Sequence, residues 1–74
     1  MGNIRPLKPK ELARAIEKLG FRLIRQKGSH AVYRHDEGRW VTIPMHSGKD
    51  LSKGFIYKIL KDAKLNWEDV EKVL

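Results

Sequence analysis

Two alternating runs separated by three residues set the frame for this 74-residue chain. His30-Ala31-Val32-Tyr33-Arg34-His35 and Arg39-Trp40-Val41-Thr42-Ile43-Pro44 read with the period of a β-strand. Asp36-Glu37-Gly38 between them is a three-residue hairpin loop, with glycine where a left-handed conformation is wanted. Loop length dictates register. With His35 opposite Arg39, Tyr33 faces Val41 and Ala31 faces Ile43 on one apolar side, while His30, Val32, Arg34, Trp40 and Thr42 share the other. A two-residue loop would mix the two faces. The hairpin therefore predicts a sheet with one side covered and one side open.

The flanking segments supply the cover. Lys8-Pro9-Lys10-Glu11-Leu12 opens a helix, because proline fits the first helical position at no cost in hydrogen bonds, and Gly20 closes it. Leu12, Ile16 and Leu19 recur at i, i+4 and i+7 beside Ala13 and Ala15, while Arg14, Glu17 and Lys18 face water. Phe21 to Lys27 is rich in β-favouring residues and predicts a first strand, its alternation blurred by the adjacent Leu23 and Ile24 and ended by Gly28-Ser29. Pro44 to Asp50 is a loop. After Leu51, Ser52 caps a second helix whose Phe55, Ile56, Ile59, Leu60 and Ala63 form an apolar stripe. Asn66 caps a short third helix with Glu68 and Asp69 in its first turn and Trp67, Val70 and Leu74 packed inward. The order is α-β-β-β-α with a helical tail. It predicts an α+β fold in a single domain, residues 1–74, with two helices on one face of a three-stranded antiparallel sheet.

A domain this short buries roughly 60% of its unfolded surface, and without cysteine no disulfide or thiolate metal site supplements the core. Met1-Gly2-Asn3-Ile4-Arg5-Pro6 lacks the apolar run of a signal peptide, and no stretch reaches the ~20 apolar residues of a membrane span. A soluble, cytoplasmic protein is the expectation. The net charge of +7 is lopsided: nine bases against two acids in residues 1–35, six against four in 36–65, one against three in 66–74. Clustered Lys and Arg bind phosphate backbones through counterion release, so nucleic acid is the leading partner class, with an acidic protein next.

Metal-dependent hydrolysis finds no support. His30 and His35, five apart on one strand, point to opposite faces, and His46 lies in a separate loop. No metal and no small-molecule cofactor are expected. RNA cleavage asks for less, because the 2′-hydroxyl of the substrate is its own nucleophile and one acid-base group can suffice. Histidine, which exchanges protons near neutral pH, suits that task beside cations that stabilise charge developing on phosphorus. His30 fits best: it follows Gly28, whose missing side chain permits close backbone approach, and lies on the uncovered face with Arg34. The residues alone leave open an exposed strand histidine with no role. His46, in Pro44-Met45-His46-Ser47-Gly48-Lys49, is a possible accessory group or a loop histidine bonded to backbone. Lys49 and Lys53 flank the start of the second helix, where N–H groups and the dipole attract phosphate. They, Lys27 and Ser29 at the strand junction, and Arg22 and Arg25 form either an RNA grip or a solvated basic face. Trp40 either stacks on a base or packs beside Val32.

Leu19-Gly20-Phe21, Arg25-Gln26-Lys27-Gly28-Ser29-His30, Val41-Thr42-Ile43-Pro44 with His46, Lys53-Gly54 and Ile59-Leu60-Lys61 together resemble the HicA (YcfA-like) mRNA interferase toxin family, from about Pro9 to Leu65. The most specific element is Gly28-Ser29-His30, followed at the expected distance by Pro44 and His46. The resemblance implies a double-stranded-RNA-binding-domain-like fold, metal-free mRNA cleavage, and a HicB-like antitoxin that covers the catalytic histidine, here His30. Ala31 and Phe55 depart from the family's pattern, the first bearing on how His30 is positioned and the second on helix capping or packing. The competing reading is a non-catalytic RNA-binding module of the same fold.

Overall fold

A computed structural model describes residues 3–46 and 48–74; Met1, Gly2 and, within the loop expected from Pro44 to Asp50, Ser47 lie outside the described residues. The chain runs α1 (Pro9–Lys18), β1 (Phe21–Lys27), β2 (His30–His35), β3 (Trp40–Pro44), α2 (Lys53–Ala63) and α3 (Trp67–Glu71). The three strands form one antiparallel sheet in the order β1-β2-β3, the predicted α+β, double-stranded-RNA-binding-like arrangement.

The hairpin register is the expected one: Ala31 pairs with Ile43, Tyr33 with Val41 and Arg34 with Trp40. Gly38 takes φ +89° in the loop, and the His35 N–H donates to the Arg39 carbonyl at 2.8 Å. Ala31, Tyr33, Val41 and Ile43 are buried, and α1 and α2 cover them with Leu12, Ile16, Ile56, Ile59 and Leu60. The opposite face stays open, since His30, Arg34, Trp40 and Thr42 are exposed.

The first strand departs from simple alternation. Its pairing with β2 shifts between Leu23 and Arg25, a β-bulge at Ile24 that leaves both Leu23 and Ile24 47% exposed. One extra residue flips the side-chain parity of everything before it. Arg22 thus pairs with Arg34, Arg25 with Val32 and Lys27 with His30, and all three β1 cations share the open face.

The helix ends are built as expected with two corrections. The Ser52 hydroxyl accepts from the Phe55 N–H at 3.2 Å, and the Asp69 carboxylate accepts from the Asn66 N–H at 3.0 Å. Phe55, however, belongs to the exposed side of α2 rather than the apolar stripe, because the core is filled by Ile56, Ile59, Leu60 and Ala63 one position away on the helix. Leu74 is 44% exposed: α3 ends at Glu71, and Trp67 and Val70 alone turn inward. Two features come from contacts distant in sequence. Leu7 and Leu51 exchange backbone hydrogen bonds and are both buried, tying the N-terminal segment to the approach to α2. Arg39 lays its guanidinium 5.8 Å from the Phe21 ring and donates to the Ala63 carbonyl at 2.9 Å, a cation at the C-terminal end of α2 where carbonyls lack partners.

Candidate active site

His30 is the first residue of β2, delivered by a two-residue turn. Lys27 and His30 are paired across it, and Gly28 takes φ +58° at the first central position, the glycine-first pattern of a type II′ hairpin. Nothing lies within 4 Å of where a Gly28 Cβ would stand. Glycine is needed here for its positive φ, and no other part of the described chain packs against it there. The Gln26 side-chain amide donates to the Gly28 carbonyl at 3.2 Å and braces the turn.

The imidazole of His30 is exposed, between Lys27 on β1 and Pro44 on β3, its two cross-strand neighbours. Directly opposed residues hold their Cβ atoms roughly 4.5–5.5 Å apart, so Lys27 is the sheet cation set beside His30 by the register of β1 and β2. Arg34 sits four residues further along the same face, roughly 13 Å at the rise of a strand. Its guanidinium lies 6.0 Å from the Trp40 ring centroid. Arg22 leans away to Asp36 in a 3.0 Å ion pair, with both side chains well exposed; such a pair adds little stability but relieves the like-charge opposition of Arg22 and Arg34.

The predicted residues divide into two groups. Ser29 Oγ is 3.4 Å from His46 Nε2, and the Met45 N–H donates to the Ser29 carbonyl, so the loop after β3 folds back onto the turn that precedes His30. His46 and Lys49, however, line a separate cavity of about 220 Å³ with Lys8 and Lys10 from the start of α1. His30 lines another, of about 340 Å³, between β3 and α2. Lys53 is exposed at the first turn of α2 and lines neither. His46 is therefore beside the turn but not in the His30 groove. Sequence reasoning missed what that groove contains: Lys58 and Asp62, and the place of Phe55 there. Their signal was the spacing of Phe55, Lys58, Ile59 and Asp62 at i, i+3, i+4 and i+7, a second stripe beside the apolar one. Among the described residues no three His, Asp or Glu side chains gather as a metal-binding group.

Residues 9–65 match the family model of the HicA toxin of bacterial toxin–antitoxin systems. The chain belongs to the HicA toxin family. That match spans well over half of the chain, including both helices over the sheet, all three strands and the Gly28-Ser29-His30 turn. A comparison with curated protein sequences returns no match. Membership in the HicA family makes the chain the toxin of a toxin–antitoxin pair and implies an antitoxin as its partner. No helix among the described residues is long and apolar enough to cross a membrane.

Proposed function

We propose that the chain is a single-domain, cytoplasmic endoribonuclease that cleaves mRNA without a metal ion, with His30 as the acid-base group. The observation that carries this reading is the exposed imidazole of His30 set opposite Lys27 on an uncovered, cationic sheet face. In the reaction, the 2′-hydroxyl of one ribose attacks the adjoining phosphorus, the P–O5′ bond breaks, and the products are a 2′,3′-cyclic phosphate and a 5′-hydroxyl. His30 either takes the proton from the 2′-hydroxyl or supplies one to the departing 5′-oxygen. Lys27 stabilises the charge that builds on the phosphoryl oxygens, as a preorganised cation does best where charge develops.

The remaining cations act at other phosphates. Arg34, two or so nucleotides away by the rise of the strand, holds backbone rather than the reacting group, with Arg25 between them on the same face. Lys49 and Lys53 extend the grip around the start of α2, with His46 and Ser29 as accessory contacts at the turn. An antitoxin of the HicB kind, acidic on its docking face, neutralises the toxin by covering His30 and these cations.

An RNA oligonucleotide with a single cleavage position, compared with the same strand carrying 2′-deoxyribose there, tests the reading in EDTA. The expected result is cutting of the all-ribose strand to a cyclic phosphate end, and none of the deoxy strand. Binding of both strands with no cutting of either makes the chain a non-catalytic RNA-binding module instead.

A further inference from the structure

The groove between β3 and α2 has a composition that a phosphate path does not need. One stripe of α2 faces it, presenting Phe55, Lys58 and Asp62, and from the sheet Trp40 and Thr42 line it together with His30. Trp40 is 56% exposed and Phe55 36%, large aromatic surfaces left partly open among the described residues, with the Arg34 guanidinium over the Trp40 ring. Asp62 takes part in neither of the two ion pairs among the described residues, so its carboxylate stays able to accept hydrogen bonds.

From these features we infer that the groove is a base-binding subsite that holds one unpaired nucleobase of an RNA strand, with guanine preferred. A carboxylate in a channel for phosphates repels its ligand, whereas the Watson–Crick edge of an unpaired base offers it N–H donors. Guanine offers two adjacent donors, N1–H and the 2-amino group, which match the two oxygens of a carboxylate; adenine and cytosine offer one amino group, and uracil only its N3–H. Exposed aromatic rings serve an unpaired base and not a duplex, whose bases are already stacked and which proteins read by shape and backbone. The volume of about 340 Å³ is near the low end of the roughly 300–1,000 Å³ of small-ligand pockets, enough for a flat base between side chains. Thr42 adds a hydroxyl to the same edge, and Lys58, one helical turn before Asp62, meets the phosphate of the held nucleotide. Because His30 lines the same groove, the subsite sets which base adjoins the cut; that consequence rests on the ribonuclease reading, whereas binding itself does not.

The test uses the full chain carrying His30→Ala, titrated with the single-stranded RNAs UUGUU, UUAUU, UUCUU and UUUUU. Quenching of tryptophan fluorescence reports Trp40, since Trp67 is 4% exposed. UUGUU is expected to bind about tenfold more tightly than UUUUU, the discrimination of a good bidentate pair. Adding Asp62→Ala or Asp62→Asn should remove most of that preference, and Trp40→Ala, which removes the reporter and is followed instead by fluorescence anisotropy of end-labelled RNAs, should weaken all four by about tenfold. Equal binding of the four, or a preference that survives Asp62→Ala, overturns the subsite. In the chain with His30 intact, the base beside the cut in a random RNA pool gives the second readout. Cleavage whose base distribution is unmoved by Asp62→Ala and Trp40→Ala overturns the subsite and leaves the nuclease standing. Guanine-dependent binding without cleavage supports the subsite and removes the nuclease.

Discussion

Gly20 and Gly28 both need positive φ, yet they answer to different neighbours, and substitution separates them. A Cβ on Gly28 meets open space, so Gly28→Ala suffers only the backbone strain of a positive φ in the turn, about 1–3 kcal/mol. A Cβ on Gly20, at φ +101°, stands 2.9 Å from His35 Nε2. His35 has little room to yield: its ring packs edge-on to Phe21 with centroids 5.1 Å apart, and its Nδ1 accepts from the Glu37 N–H at 3.1 Å. Urea denaturation should therefore show Gly20→Ala losing more stability than Gly28→Ala; the reverse order contradicts this account of the two turns. Arg39 is the other residue whose loss reaches the fold. Its guanidinium, with the side chain only 19% exposed, bonds the α2 C-terminus and the Glu37 carboxylate, so Arg39→Ala should cost about 2 kcal/mol by the same measurement.

At the scale of elements, the bulge at Ile24 absorbs the one residue by which β1 exceeds its pairing with β2. Deleting Ile24 leaves Phe21 opposite His35 and Lys27 opposite His30 in plain alternation, so the shortened chain should keep its cooperative unfolding transition by circular dichroism, and loss of that transition contradicts the bulge. The cap of α2 is a separate lever. Ser52→Ala removes the bond to the Phe55 N–H and should cost about 1 kcal/mol. The hairpin, both long helices and the open face were legible in the sequence, because loop length and side-chain period are local properties. Which β1 residues join that face was not: adjacent Leu23 and Ile24 look alike whether the strand is bulged, edge-exposed or doubly buried. The Leu7–Leu51 bridge and the carbonyl contacts of Arg39 were equally hidden, since each joins segments far apart in the chain. For the candidate site the outcome divides in the same way. His30, Lys27 and Arg34 follow from strand register, while the spacing of Phe55, Lys58 and Asp62 marks a stripe of α2 without saying that it packs along the outer edge of β3 beside His30.

For the whole molecule, positive charge concentrated in residues 1–35, joined by cations of α2, makes RNA affinity a function of salt. Lys27→Ala should weaken binding evenly across RNA sequences and lower the slope of log affinity against log salt by about one phosphate contact. Global stability should also decline in strong base. Burial, and secondarily the Glu17 carboxylate, raise the Tyr33 phenol above its usual 10.0. The folded chain therefore keeps a proton that the unfolded chain has lost, so stability is full below about pH 10 and falls as the pH rises through the folded value. Thermal unfolding followed from pH 8 to 11 checks the sign. The central claim is that one imidazole on this cationic face drives cleavage, and the rate at which purified chain cuts a long RNA in EDTA, with and without His30→Ala, tests it most directly. The account predicts a loss of about 10²–10⁴-fold with RNA binding unchanged; a variant that cuts at the parental rate contradicts it.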